Sequence, residues 1–324
     1  MTILVRLKNT GPASVMQLEQ GVRQQPGPTE VWIDHDAIGV NYLDVMQRSG
    51  SAPLPLPTGL GLEGAGHVAE VGSEVANVFP GDRVAYIMGA VGSYASGRVY
   101  PADRLVKLPD DVSFREAASI LFKGVTAQYL LKTTYQVGPG TRILLYGAAG
   151  PVGQILCRWA THLGATVFGV VSRVASIETA RAAGADEVFV WDERDLPSEV
   201  ARLTGGRKMD VVYDGVGRTT FEASLDSLRP RGLMVSFGAS SGLPEPISVA
   251  TLNGKGSLYL TRPSLAAHVA DLTEYHGRMQ DVLNAFRAGI VKSPYSQTIP
   301  LEQVQKAHEL LEAGKAGGSL ILQP

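Results

Sequence analysis

The chain has 324 residues, enough for about two domains at roughly 150 residues each. Hydrophobic residues make up 44%, and 29 Lys+Arg against 31 Asp+Glu leave a net charge of −2, which excludes disorder and gives no basic field for nucleic acid or anionic lipid. The single cysteine, Cys157, excludes an intrachain disulfide and a Cys-rich zinc site.

The opening stretch MTILVRLKNTG has neither an apolar signal core nor a small-residue cleavage site. No apolar run approaches the ~20 residues of a membrane span. The expectation is a soluble cytoplasmic protein. Residues 1 to 122 are rich in Gly and Pro, with short apolar runs at 30–33, 37–41, 66–71, 82–87 and 105–108. Turn signals such as Gln25-Pro26-Gly27-Pro28 and Pro80-Gly81-Asp82 separate them. Short strands at this spacing predict a partly closed antiparallel β domain. Leu54-Pro55-Leu56-Pro57 lacks alternate backbone donors and is read as a surface loop.

From residue 123 the texture becomes strand, glycine, helix, strand. Apolar strands are predicted at 142–146, 166–171, 187–190, 210–213 and 233–237, with Val152, Ile155, Leu156, Trp159 and Leu163 on one face of the first intervening helix. Such alternation implies a doubly wound parallel sheet. After Arg262-Pro263 comes a long helix with Leu272, Tyr275, Met279, Val282, Phe286 and Ile290 on one face. A second helix carries Val304, Ala307 and Leu311 and ends near Gly314, and the strand-like tail 319–322 follows it.

The first predicted strand of the second texture runs into Gly147-Ala148-Ala149-Gly150-Pro151-Val152-Gly153. Gly150 lets backbone approach a pyrophosphate, Gly153 lets helix and strand pack closely, and Pro151 suits the first helical position. The N–H groups of Val152 and Gly153 then face phosphate at a helix N-terminus. The second strand ends Gly169-Val170-Val171-Ser172-Arg173 with no carboxylate for a ribose 2′-OH. A serine hydroxyl and a guanidinium suit a 2′-phosphate instead, so NADPH is the expected cofactor.

The stretches Asn41-Tyr42-Leu43-Asp44 with Arg48-Ser49-Gly50, Gly61-Leu62-Glu63-Gly64-Ala65-Gly66, Gly81-Asp82-Arg83-Val84 and Phe122-Lys123-Gly124-Val125-Thr126-Ala127 carry a resemblance, as do 211–218, 231–238 and 256–265. Over essentially its whole length the chain resembles the quinone oxidoreductases, the zeta-crystallin-like branch of the medium-chain dehydrogenase/reductases. The resemblance implies an α/β protein with a doubly wound Rossmann domain inserted in a GroES-like, mainly antiparallel β catalytic domain. The expected division is 1–122 and 263–324 for the catalytic domain and 123–262 for the nucleotide domain, with NADPH in the cleft between them.

It further implies that Asn41, Tyr42, Leu43, Asp44, Val45, Met46 and Tyr129 approach the nicotinamide half. Pro151 and Val152 hold the pyrophosphate, while Ser172, Arg173, Val174, Ala175 and Ser176 surround the 2′-phosphate. Phe237, Gly238, Ala239 and Ser240 line the nicotinamide edge of the sheet, and Ser264 and Leu265 close over the ring.

Departures from the family accompany the match. Zinc-dependent relatives have a histidine where this chain has Leu62, and no cysteine lies in the first 120 residues, so no zinc site of the usual three-ligand kind is expected. Met46 replaces a tyrosine, Ser176 a lysine and Trp191 a tyrosine of the family pattern. The expected reaction is metal-free hydride transfer from NADPH to a quinone, with water or Asn41 and Tyr42 bonding the developing oxyanion. The alternatives are reduction of a double bond conjugated to a carbonyl, with Tyr42 or Tyr129 as acid, and a non-enzymatic NADPH-binding or RNA-binding role. A homodimer through the edge strand at 257–260 is expected.

Other candidates are read more plainly. Asp34-His35-Asp36 is taken as a solvated strand end, with His35 opposite the two aspartates. His67 is taken as structural, Glu63 as bonding backbone at a glycine turn, and Cys157 as a packed thiol. Tyr213-Asp214 is read as either contacting cofactor or capping a turn.

Overall fold

The computed structural model describes residues 2–191 and 195–324. Strands β1 (Thr2–Leu7) and β2 (Met16–Gly21) pair antiparallel. Strand β3 (Glu30–Gly39) follows, then helix α1 (Tyr42–Ser49), strands β4 (Glu63–Val71), β5 (Arg83–Ile87), β6 (Gly97–Pro101) and β7 (Val106–Lys107), and helix α2 (Phe114–Tyr129). The runs expected at 30–33 and 37–41 fall on one strand that ends at Gly39, with register shifts between Trp32 and Ile33 and between His35 and Ala37. The bulges let ten residues change partners without breaking the ladder.

The solvated strand end expected at Asp34-His35-Asp36 is corrected in part. The two aspartates are exposed, but His35 is buried in mid-strand, bonded to the Ala95 carbonyl at 2.7 Å and the Tyr86 hydroxyl at 2.9 Å. Burial lowers its pKa to about 4.

The second texture forms β8 (Arg142–Tyr146), α3 (Pro151–His162), β9 (Thr166–Val171), α4 (Ile177–Ala182), β10 (Glu187–Val190) and α5 (Leu196–Leu203). It continues through β11 (Met209–Asp214), α6 (Phe221–Asp226), β12 (Leu228–Ser236), α7 (Val249–Gly254), β13 (Tyr259–Thr261) and α8 (Leu265–His268). Its six strands are all parallel, in the order β10-β9-β8-β11-β12-β13. Strand order reverses between β8 and β11, the topological switch point of a doubly wound sheet. Leu144, Phe168, Val170, Val212, Met234 and Leu225 pack its core.

Helix α9 (Leu272–Arg287), strand β14 (Tyr295–Pro300), helix α10 (Val304–Glu312) and strand β15 (Ser319–Gln323) complete the chain. Strand β15 pairs parallel with β14 and antiparallel with β3, so the tail returns to the first sheet, ordered β14-β15-β3-β4-β5-β7 with β6 on β3. Leu320 and Leu322 join Ile38, Val40, Leu60 and Tyr94 in its core.

Contacts divide the chain into two units: residues 1–123, 269–287 and 292–324, and residues 124–268 with 288–291. Residues 263–268 group with the parallel sheet's unit, within which His268 stacks on Tyr129, ring centroids 4.1 Å apart. No described helix is long and apolar enough to cross a membrane.

Candidate active site

In the parallel-sheet unit, β8 ends at the switch point and its chain turns through Gly147, whose φ is +68°. Gly150 caps α3 and Pro151 occupies its first turn. A Cβ on Gly153 would lie 2.1 Å from the Gly147 carbonyl oxygen and 2.8 Å from the Ala148 Cα, so no side chain fits there. Gly169 on β9 is also tight, 2.8 Å from the Ala148 Cβ. The glycines therefore bring loop, helix and strand into contact, and the first N–H groups of α3, which have no intrahelical partners, make a cradle suited to pyrophosphate.

The loops after β9, β11, β12 and β13 emerge at the same sheet edge, where open α/β sheets bind ligands. Ser172, Arg173, Val174 and Ala175 are exposed after β9, and Ser176 is half-buried. Trp191 packs edge-on against Tyr146 instead, 5.8 Å between centroids. Phe237 and Gly238 donate their N–H groups to the Asp214 carbonyl at 2.9 and 3.3 Å, and Ser240 donates to the Gly215 carbonyl at 3.2 Å. Gly238 and Gly215 touch so closely that a Cβ on Gly238 would meet the Gly215 oxygen at 2.6 Å. Ala239 and Leu265 are half-buried, and Ser264 is exposed just after β13. Tyr129 is buried beneath its stack with His268.

The two readings of Tyr213-Asp214 resolve to the structural one. The Tyr213 hydroxyl donates to the Leu130 carbonyl at 2.9 Å. The buried Asp214 carboxylate accepts from Val216 N, Gly217 N, Thr220 Oγ1 and Ser224 Oγ at 2.7 to 3.0 Å. Cys157 is buried as expected, and burial pushes its thiol up to about 12, too high for a nucleophile.

In the antiparallel unit, Asn41 precedes α1 and its backbone N–H donates to Asp44 Oδ2 at 2.9 Å. Asp44 and Val45 turn inward, leaving Tyr42, Leu43 and Met46 as the side chains of this segment that reach the surface. Glu63 opens β4 rather than a glycine turn: its Oε1 accepts the Phe122 N–H and its Oε2 the Asn41 Nδ2–H, both at 2.9 Å. The buried Lys123 ammonium donates to Asn41 Oδ1 at 2.8 Å and lies 3.7 Å from Glu63 Oε2. A Cβ on Gly39 would sit 2.1 Å from Glu63 Oε2, so the approach of this carboxylate requires glycine. Burial pushes the Glu63 carboxyl up, opposed by Lys123, Asn41 and the Phe122 N–H. Sequence reading passed over Lys123 because a lysine in a helix ordinarily reads as solvated.

Behind α1, the Tyr94 hydroxyl donates to Asp44 Oδ2 at 2.9 Å and lies 3.0 Å from His308 Nε2. Burial raises Asp44 to about 7 and lowers His308 to about 3. Arg48, buried on the same helix, pairs with Glu312. His67 bonds Asp36 Oδ2 at 2.9 Å on the surface. Leu62 is buried, and among the described residues no group of three His, Cys, Asp or Glu side chains is placed to hold a metal ion.

Residues 27–110 match the alcohol dehydrogenase GroES-like domain and residues 151–275 the zinc-binding dehydrogenase domain. With the switch-point cradle, these define the class as a medium-chain dehydrogenase/reductase. The chain is 42% identical to quinone oxidoreductase 1 of Escherichia coli over 98% of both chains, and 39% identical to a 2-haloacrylate reductase of Burkholderia sp. over 98% of this chain and 97% of the relative. Among solved structures, E. coli quinone oxidoreductase complexed with NADPH superposes with a TM-score of 0.96 at 41% identity, and that of Pseudomonas syringae pv. tomato with 0.97 at 41%, each covering 100% of both chains. The chain belongs to the quinone oxidoreductase family, as the sequence motifs imply.

Proposed function

We propose that the protein is an NADPH:quinone oxidoreductase, and the observation that carries this is its full-length likeness to an NADPH-complexed quinone oxidoreductase together with a glycine cradle that fits the cofactor's pyrophosphate. NADPH, when bound, supplies the hydride that reduces the quinone. Gly150, Pro151, Val152 and Gly153 hold the pyrophosphate, while Ser172 through Ser176 surround the 2′-phosphate. In the parallel-sheet unit, Tyr129, Phe237, Gly238, Ala239, Ser240, Ser264 and Leu265 are assigned to the nicotinamide; in the antiparallel unit, the family resemblance assigns Asn41 through Met46 to the nicotinamide half as well.

A quinone is a strong electrophile, so orientation supplies much of the acceleration. Asn41 and Tyr42, or water, stabilise by hydrogen bonding the oxygen that gains negative charge. The functional division is 1–122 and 263–324 for the substrate side and 123–262 for the nucleotide side. The protein acts in the cytoplasm on a small molecule, without membrane or nucleic acid. It pairs as a homodimer along β13, whose outer edge has no partner strand among the described residues and whose Tyr259 is exposed.

Oxidation of NADPH and NADH, each with 1,4-benzoquinone and with a simple enone, tests the reading. Fast NADPH oxidation with the quinone supports it. Turnover with the enone alone moves the activity to conjugated double bonds, the reading favoured by the likeness to the 2-haloacrylate reductase, with Tyr42 or Tyr129 as proton donor. Tight NADPH binding without turnover on either acceptor makes it a binding protein.

A further inference from the structure

Asn41 carries one carbonyl oxygen and one NH₂ group, and which way they point decides what the residue offers a ligand. Its neighbours fix the answer. Lys123 Nζ has only hydrogens to give and stands 2.8 Å from one amide atom. Glu63 Oε2 is an acceptor 2.9 Å from the other. The reversed amide would set NH₂ against ammonium and carbonyl against carboxylate, two repulsions in place of two bonds. Glu63 is held in turn by the Phe122 N–H on Oε1, and Lys123 also reaches the Val40 carbonyl at 3.4 Å. All of these groups are buried, so each bond acts in a medium of low dielectric.

We infer that Lys123 and Glu63 are positioning residues that lock the Asn41 carboxamide with its carbonyl oxygen turned to the ammonium and its second Nδ2–H left as a hydrogen-bond donor to the quinone oxygen that becomes anionic. The inference rests on the proposed quinone reductase activity. It explains why a lysine is buried in α2 with, among the described residues, one shared carboxylate as its ionic partner. The ammonium takes one lone pair of the amide oxygen and the carboxylate one of the amide hydrogens; of what is left, the second Nδ2–H is the group that can bond an anion. An anionic oxygen near the site thus meets an N–H whose orientation needs no rearrangement as charge develops.

A polarity reversal separates this role from a purely structural one. In Asn41→Asp, a carboxylate oxygen faces Glu63 Oε2 and the fold is destabilised. In the double variant Asn41→Asp/Glu63→Gln, the glutamine amide at position 63 accepts the Phe122 N–H through its carbonyl and donates its NH₂ to the new carboxylate at position 41. Lys123 keeps its bond and the net charge is unchanged, so the thermal midpoint recovers to near that of the wild type. The donor has become an acceptor, and kcat with NADPH and 1,4-benzoquinone stays down by on the order of 100-fold. The KM for NADPH changes far less.

Recovery of kcat together with the midpoint would make Asn41 structural and overturn the inference. A double variant no more stable than Asn41→Asp, or one that does not fold, would overturn the assigned amide orientation. Wild-type turnover is measured alongside. If the wild type reduces no quinone, the proposed activity fails, while the thermal midpoints still decide whether Lys123 and Glu63 orient the amide.

Discussion

The Tyr94 hydroxyl, buried, stands between two groups with opposite titration behaviour: it donates to Asp44 Oδ2 at 2.9 Å and meets His308 Nε2 at 3.0 Å. Because the tyrosine proton goes to the aspartate, His308 presents Nε2–H to the phenol oxygen, and its Nδ1 finds no partner among the described residues. The neutral imidazole is the form this arrangement accommodates.

Opposite pH dependences follow for the two neighbours. Folded His308 titrates at about 3 against 6.5 for a free imidazole, so the unfolded chain takes up a proton that the folded chain refuses. Stability contributed at this site is lost as pH falls below 6.5. Asp44, raised from 3.8 to about 7, keeps its proton when folded, so its site loses stability as pH rises from about 4 towards 7. Urea unfolding between about pH 4.5 and 6.5 should show the wild type gaining on His308→Gln with rising pH, and losing ground to Asp44→Asn. Each changes the relative folding constant by up to about tenfold per pH unit. Parallel slopes would contradict the assignment.

Gly153→Ala drives a methyl into backbone that cannot yield, 2.1 Å from the Gly147 oxygen. A loss of about 1–3 kcal/mol in stability is expected, with NADPH affinity weakened as α3 is pushed off the loop. Gly277→Ala is the counterpart: this glycine lies within α9 with no atom within 4 Å of an added Cβ. It should stabilise by about 1 kcal/mol and leave NADPH binding unchanged. Thermal unfolding and cofactor fluorescence titration read both.

Arg173→Ala should raise the KM for NADPH about tenfold and leave that for NADH nearly constant, since guanidinium recognises phosphate through paired N–H donors. The residue is exposed immediately after β9, where a 2′-phosphate is expected. Equal effects on the two cofactors would place the 2′-phosphate elsewhere.

Tyr259→Pro removes a backbone donor from β13, a three-residue edge strand paired only with β12 among the described residues. Sedimentation velocity should show the proposed dimer converted to folded monomer. A folded variant with the wild-type sedimentation profile would move the interface off this edge.

The parallel sheet was legible because its signals are local. Strands at 142–146, 166–171 and 187–190 are apolar runs, and Gly147, Gly150 and Gly153 mark the cradle by their place between the first of these and an amphipathic helix. The lack of an acid after β9 pointed to the 2′-phosphate in the same way. In the antiparallel sheet, short runs gave the strands, but not that 30–33 and 37–41 are one bulged strand. A bulge depends on the partner's register rather than on the chain's own pattern.

What the sequence by itself determined was therefore the class of fold, the cofactor loop and the family motifs. Only the tertiary structure brought Glu63 and Lys123, far apart in the chain, onto the two ends of the Asn41 amide. Only there did His308, on a helix near the far end of the chain, come within reach of Tyr94 and Asp44. Local periodicity records which side chains are buried. Which buried polar groups face one another is settled by long-range packing, because each must find a partner once water is excluded.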